Sequence, residues 1–194
     1  MNIAIVKYNA GNIKSVTYAL NRLGIEPVIT DNPEQLQQAD KVIFPGVGEA
    51  STAMNYLRQR NLDALLPTLK QPVLGICLGL QLMCRHSEEG NVDCLNIFPL
   101  EVKRFQQAPK VPHMGWNTLT AKEQHPLFQK LDEASYLYYV HSFYAELGTE
   151  TMATTTYGEK FSAVLHKNNF YAIQAHPEKS GKDGEQMLKN FLSL

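Results

Sequence analysis

The sequence predicts an α/β fold: a mostly parallel central sheet flanked by helices, with additional antiparallel strands in the second half. Three observations predict it. Short apolar runs alternate with amphipathic segments through the first half, and repeated strand-then-helix units of this length build parallel sheets covered on both faces. From about residue 96 onward, strand-like runs follow one another with few helices between them. No repeat, low-complexity tract or linker interrupts the chain, so residues 1–194 read as one domain, a length that suits a single sizeable core.

The elements follow in order. Residues 2–6 form a short apolar strand, and AGN leads into a helix with Ile13, Val16, Leu20 and Leu23 on one face, closed by Gly24. Residues 25–30 read as a second strand, after which Asp31-Asn32-Pro33 opens a short helix. Residues 41–45 (KVIFP) are a third strand running through GVGE into a helix that carries Ala53, Met54 and Leu57. Residues 72–76 are a fourth, followed by a helix with Leu78, Leu82 and Cys84. In the second half WNTLT, YLYYVHSF, TMATTTY and NFYAIQAH have strand character, and AVLHKNNFYAIQ reads as a hairpin turning at Asn168-Asn169. A last helix over residues 184–192 carries Met187, Leu188, Phe191 and Leu192.

Composition narrows the function. The chain is 44% hydrophobic and 19% charged, with a net charge of −1 and no long run of either sign. Nucleic acid and anionic membrane, which need a concentrated basic surface, are not expected partners. The start, MNIAIVKYNAGN, has too short an apolar stretch for a signal peptide, and no later segment is long enough to span a bilayer. Three cysteines, at 77, 84 and 94, are an odd and sparse set. On a helix Cys77 and Cys84 stand roughly 10 Å apart by rise, too far for a disulfide. Reduced thiols point to the cytoplasm. No CxxC pair exists and Cys84 with His86 lacks partners at ligand spacing, so no metal site is expected.

Cys77 falls where strand VLGI gives way to helix LGLQLM, and in an open α/β sheet ligands gather at the carboxyl ends of parallel strands. GICLG fits Gly-x-nucleophile-x-Gly with cysteine as the nucleophile. A nucleophile on such a turn occupies a strained backbone conformation, which calls for the small neighbours Gly75 and Gly79. The following helix directs its N–H groups toward the sulfur and favours thiolate, and the Leu78 N–H is free to stabilise an oxyanion. On this pattern alone a catalytic thiol and a buried core thiol are equally good readings.

A thiolate that attacks an amide needs a base, and the base needs an orienting group. Of six histidines, His176 in AIQAHPEKS follows a strand and has a carboxylate, Glu178, two residues on, the spacing that places both side chains on one face of an extended segment. Glu178 is thus placed to hold one ring nitrogen and aim the other at sulfur. The same residues also describe a surface His–Glu pair of no consequence. His141 in YVHSF and His113 in VPHMGW are rival bases with no carboxylate near them in sequence. His86 and His125 read as loop residues, and His166 as a strand residue near a hairpin.

With GICLGLQ and AHPE in place, the chain resembles the triad-type glutamine amidotransferases, a flavodoxin-like family. AGNIKSV, PGVGEA at 45–50, SEEG at 87–90, VPHMGWN at 111–117 and YYVHSF at 138–143 are similar, in order and over nearly the whole chain, to the glutaminase subunits of imidazole glycerol phosphate synthase, which serve histidine biosynthesis. The resemblance implies that Cys77 attacks the carboxamide of glutamine, that His176 shuttles protons and that Glu178 orients it. It implies an oxyanion hole made by the N–H groups of Leu78 and Val47, and a glutamine pocket lined by Gly48, Gln81, Glu89, Ser142 and Phe143. In that pocket Glu89 is a reasonable acceptor for the substrate ammonium; taken without the family, Gln81 and Glu89 read as solvent-facing. No cofactor is implied. Three stretches depart from the family pattern: Lys7-Tyr8-Asn9, Cys84-Arg85-His86 and Cys94-Leu95-Asn96.

A glutaminase domain uses up the chain and leaves no segment for an ammonia acceptor site. The resemblance names the partner as the cyclase subunit, a (β/α)8 barrel, in a heterodimer. Lys179, Asn12 and the neighbourhood of Trp116–Asn117 are expected on the docking face, although a tryptophan beside glycine equally suits a core. Other readings remain at this point: a glutaminase serving another acceptor, a γ-glutamyl hydrolase or peptidase on a similar fold, and a non-catalytic nucleotide-binding module. AGN after the first strand is neither GxGxxG nor a P-loop, which counts against the last.

Overall fold

The structure is a computed structural model that describes residues 1–9, 11–121, 124–132 and 135–194; Ala10, in the AGN stretch, lies outside them. Four short strands organise the first half: β1 (Ile3–Val6), β2 (Val28–Thr30), β3 (Lys41–Gly46) and β4 (Val73–Cys77). They pair in parallel in the order β2-β1-β3-β4. Parallel neighbours need long crossovers, and helices supply them. α1 (Ile13–Arg22) joins β1 to β2, α2 (Pro33–Gln38) joins β2 to β3, and α3 (Ala50–Gln59) with the short α4 (Leu62–Leu65) joins β3 to β4. α5 (Leu78–Met83) begins on the residue after β4. Local chemistry places the ends: Asn32 caps α2 by accepting the Gln35 N–H at 3.1 Å, and Gly24 takes φ +76° just past α1.

Two of the boundaries that differ from expectation have a plain local cause, while the last helix starts three residues early, at Gly181. The second strand starts at Val28 rather than residue 25, because the Ile25 N–H is used to close α1 on Leu20 O at 3.0 Å and Pro27 has no N–H for a ladder. Cys84 lies just past α5; its backbone is extended and its carbonyl accepts the Asn96 N–H at 2.8 Å, turning the chain away from the helix.

The rest of the chain adds antiparallel structure. β5 (His86–Ser87), β6 (Val92–Asp93) and β7 (Glu101–Arg104) are short strands that the sequence did not signal. β8 (His113–Thr118) and β9 (Thr120–Ala121) follow, then β10 (Tyr136–His141) and β11 (Phe143–Ala145), separated by Ser142. β8 and β10 form an antiparallel ribbon, while β11 joins β7, β5 and β6 in a second small sheet. β12 (Thr151–Tyr157), β13 (Glu159–Lys167) and β14 (Phe170–Ile173) complete the strands. β13 and β14 make the expected hairpin, with Asn168 at φ +57° in the turn. β14 then pairs in parallel with β4, so the main sheet reads β2-β1-β3-β4-β14-β13-β12-β9. α6 (Gly181–Leu192) ends the chain. Among the described residues no helix is long and apolar enough to cross a membrane.

Period-two alternation sorts the central strands between two cores. Ala4, Val6, Val42, Phe44 and Val73 pack with Leu36 of α2 and Met54 and Leu57 of α3. Ile3, Ile5, Ile43, Leu74 and Ile76 pack with Val16 and Leu20 of α1 and Met187 and Phe191 of α6. α5 reaches its place by lying directly on β3, and a Cβ on Gly79 would sit 1.8 Å from the Phe44 carbonyl oxygen. Gly79→Ala must therefore push α5 off the sheet, whereas Gly24→Ala meets no atom within 4 Å and bears only the strain of its positive φ. The expected losses are about 3 kcal/mol or more for Gly79→Ala, at the upper end of overpacking because the clash is with backbone, against about 1–2 kcal/mol for Gly24→Ala, read from urea midpoints. Equal losses would contradict this packing.

Candidate active site

Cys77 ends β4 with φ +54° and ψ −106°, outside the regions an L-residue prefers, at a cost of about 1–3 kcal/mol. Strand parity would send its side chain to the Val73 face; the unusual backbone turns it into the opposite cluster with Leu74 and Ile76. The two glycines around it have a packing reason. Gly79 abuts β3, and a Cβ on Gly75 would come within 3.0 Å of the Gly79 backbone. Gly46 is equally confined, since its Cβ would lie 2.0 Å from the Tyr8 hydroxyl, which donates to Pro45 O at 2.6 Å. Gly48, by contrast, has open space but φ +129°, so conformation alone requires glycine there.

Cys77 opens onto a cavity of about 300 Å³. Val47 and Gly48 enter it from the loop after β3, Cys77 and Leu78 from the turn, and Gln81 from α5. Glu89, Ser142 and Phe143 join them, so eight of the ten residues expected from sequence share this one cavity, and His176 and Glu178 do not line it. Pro112, Val140 and His141 also line it; they lie in the family-like stretches VPHMGWN and YYVHSF, but the sequence reading assigned none of them to the pocket and weighed His141 only as a rival base. A larger cavity of about 720 Å³, against Leu119, Phe128 and Asp132, holds no cysteine, so size does not pick out the chemistry.

Gln81 and Glu89 are not the solvent-facing residues their bare sequence suggests. The Gln81 amide is buried, and its Nε2 donates to Phe143 O at 2.8 Å and to Gln174 Oε1 at 3.1 Å. Glu89 is half-buried and accepts the Ala50 N–H at the head of α3 at 2.9 Å. Burial raises its pKa, opposed by that N–H.

His176 stands behind the sulfur, with no solvent exposure, just past the end of β14. Its Nδ1 lies 2.7 Å from Glu178 Oε1, and the Asn12 amide donates to the same carboxylate oxygen. The backbone is pinned as well. The His176 N–H donates to Tyr138 O at 2.8 Å, and the Ser180 hydroxyl donates to His176 O at 2.6 Å while accepting the Tyr138 N–H. With Nδ1 committed to Glu178, Nε2 is buried without a hydrogen bond of ordinary geometry and lies within reach of the Cys77 sulfur. Burial alone would drive the imidazole pKa down. The Cys77 sulfur first, and Glu178 after it, outweigh that and raise it to about 10. Sulfur, imidazole and carboxylate thus form the series that nucleophilic attack on a carbonyl requires.

The rival base is spent elsewhere. His141 Nδ1 lies 2.8 Å from Phe143 O, so it carries the proton, and Nε2 must accept. His113 Nδ1, 3.0 Å from that nitrogen, is then the donor, and His113 Nε2 faces the Asn117 amide at 3.4 Å. Both rings pack among Phe105, Tyr139 and Phe161. His86 pairs with Asp93, the His125 ring accepts the Leu127 N–H, and His166 stacks on Tyr171.

The stretches that depart from the family pattern do not line the cavity; Tyr8 comes nearest to it in packing, its hydroxyl beside Gly46. Arg85 pairs with Glu101 at 2.5 Å, and Asn96 supplies a positive φ of +52° where glycine is the usual choice.

Burial pushes His113 down to about 4 and His141 down to about 3. Unfolded histidine titrates near about 6.5. Between pH 6.5 and about 4 the unfolded chain therefore binds more protons, and stability falls on acidification by up to about 1.4 kcal/mol per pH unit per ring. His141→Gln keeps a donor and an acceptor but cannot titrate, so its urea midpoints should fall less steeply from pH 6.5 to 5. An unchanged slope would contradict the assignment of neutral rings.

Comparison with known proteins agrees with this geometry. The sequence model of the family Glutamine amidotransferase class-I matches residues 4–194. The imidazole glycerol phosphate synthase subunit HisH of Bacteroides thetaiotaomicron is 62% identical, with 100% of both chains covered. That of Idiomarina loihiensis is 49% identical, covering 100% of this chain and 98% of the relative. A solved glutamine amidotransferase superposes with a TM-score of 0.77 over 100% of this chain and 98% of its own, at 17% identity, and so shares the fold. With the family sequence model spanning almost every residue and relatives of this similarity along the full length, the chain belongs to the class-I glutamine amidotransferases and, within them, to the family of imidazole glycerol phosphate synthase subunit HisH.

Proposed function

We propose that this chain hydrolyses glutamine to glutamate and ammonia through a cysteine thioester and hands the ammonia to a cyclase subunit, a (β/α)8 barrel bound as a heterodimer. The cyclase makes imidazole glycerol phosphate and aminoimidazole carboxamide ribotide in histidine biosynthesis. The observation that carries this reading is the buried His176, held by Glu178 at one nitrogen and facing the cavity-lining Cys77 with the other.

In the proposed cycle the Cys77 thiolate adds to the side-chain carbonyl of glutamine. The oxyanion rests on the N–H groups of Leu78 and Val47, and Glu89 receives the substrate ammonium through the carboxylate oxygen that Ala50 does not use. Protonated His176 gives its proton to the departing nitrogen, ammonia leaves, and a thioester remains. His176 then takes a proton from water as it attacks the thioester, and glutamate is released with the thiolate restored. Gly48, Gln81, Ser142 and Phe143 shape the pocket around the substrate.

Ammonia set free in water at neutral pH is mostly ammonium, which is no nucleophile, so direct transfer to the acceptor is the physical reason for a partner. The β8–β10 ribbon offers a docking face. Met114, Trp116 and Tyr136 are exposed on it, with Trp116 at 55%, too open for the core that a tryptophan beside glycine equally suggests. The ribbon holds the His176 N–H through Tyr138 O, and exposed Lys179 and partly exposed Asn12 adjoin Glu178. Docking therefore bears on the triad through shared hydrogen bonds. The Val47 loop is tied to the segment ahead of α1 by the Gly11 N–H at 3.2 Å, and in this reading the partner or its ligand activates the glutaminase by turning a peptide of this loop to complete the oxyanion hole. The three free cysteines suit a reducing compartment, and the cytoplasm is the proposed location.

The test is glutamine hydrolysis by the isolated chain and by its complex with the cyclase and acceptor nucleotide, with labelling by a glutamine-like diazoketone. The complex should be much faster than the isolated chain, the label should map to Cys77, and Cys77→Ser should lower the rate by about a thousandfold or more. Unlabelled Cys77 in a complex that still hydrolyses glutamine would overturn the reading.

A further inference from the structure

Gln174 is fully buried two residues before His176, and its backbone N–H donates to Ala163 O at 2.8 Å. A buried amide must commit both its oxygen and its nitrogen. Which end points where follows from its neighbours. The Gln81 amide atom 2.8 Å from Phe143 O faces a backbone carbonyl, which can only accept, so that atom is nitrogen. Its second N–H meets the Gln174 amide at 3.1 Å, so the Gln174 atom there is oxygen. The other end of Gln174 is then an N–H donor, and it lies 3.7 Å from Cys77 Sγ. A backbone carbonyl thus sets the polarity of two amides in series, ending on the sulfur.

We propose that Gln174 is a catalytic residue that donates a hydrogen bond to the Cys77 thiolate and steadies it as attacking and leaving group, with Gln81 holding it in orientation. The proposal rests on the reading of Cys77 as the nucleophile. The sulfur has two alternatives. As a thiol it donates toward Val140 O, 3.9 Å away, and as an anion it is repelled by that carbonyl and drawn to the Gln174 N–H and protonated His176. An N–H donor favours the charged form. Tyr8 is a further titratable group coupled to the sulfur, its hydroxyl occupied by Pro45 O, and Glu89 and the His141 ring line the same cavity. Gln174 does not line the cavity, so its loss should touch kcat and spare KM.

Gln174→Met preserves length without the donor, and Gln174→Glu keeps the acceptor for Gln81 but turns an oxygen toward sulfur. In the complex with the cyclase, the pH profile of Cys77 alkylation by iodoacetamide should move up by about one pH unit in Gln174→Met and further in Gln174→Glu, whose added carboxylate also repels the thiolate, and kcat for glutamine hydrolysis should fall about tenfold or more with KM within about twofold. Independently of any variant, a Gln174 side-chain amide proton should shift in the NMR spectrum when Cys77 is alkylated. An alkylation profile that stays in place while kcat falls, or an amide proton indifferent to alkylation, overturns the assignment and leaves the glutaminase reading standing. Full hydrolysis by Cys77→Ser would instead remove the reading itself, and the role of Gln174 with it.

Discussion

An imidazole sealed from solvent sheds its proton unless groups able to carry negative charge face it, and here two do. Glu178 touches Nδ1 of His176 at 2.7 Å, and the Cys77 sulfur acts on the ring from the other side. Each member needs the others. Without the imidazolium the sulfur loses the one cation facing it, and without the carboxylate the ring loses its orienting partner and part of what holds its proton. In so dry a site every one of these attractions is stronger than at a surface, and so is the penalty for removing one partner.

That triangle depends on backbone geometry more than on any side-chain contact. Cys77 and His176 come from adjacent parallel strands, and their approach is set by the register in which Gly75 of β4 faces Ala172 of β14. The turn that aims Cys77 is stabilised by the close seat of α5 on β3, which only glycine at 79 permits. Asn12, at φ +75° where α1 begins, reaches across to Glu178. The carboxyl ends of β1, β3, β4 and β14 thus converge on a few side chains, as expected where parallel strands share one edge. The β8–β10 ribbon closes the site from above and is tied to it through Tyr138.

The central sheet was legible because its strands are apolar runs separated by amphipathic helices with capping residues. Cys77 was legible because turn glycines leave a local trace; His176 and Glu178 were picked out by a two-residue spacing read as extended chain, whereas they meet across a single 3-10 turn at Pro177–Lys179, beyond the end of β14. The sheet of β5, β6, β7 and β11 was not legible, since strands of two to four residues are too short to show alternation. The capping bond of Glu89, the neutral His113–His141 pair and the amide series ending at Gln174 join residues distant in sequence, and no local pattern records such contacts. Family likeness, rather than spacing, brought Gly48, Gln81, Glu89, Ser142 and Phe143 together before the cavity did.

The central claim is that sulfur and imidazole hold one another's charge. Titrating His176 by NMR in the unmodified chain and in Cys77→Ser tests it directly. The ring should keep its proton to a pH of about 10 with the cysteine present and release it at lower pH when serine, which carries no charge, replaces it. Superimposable titrations in the two proteins would show that the sulfur does not reach the ring, and the account would be wrong.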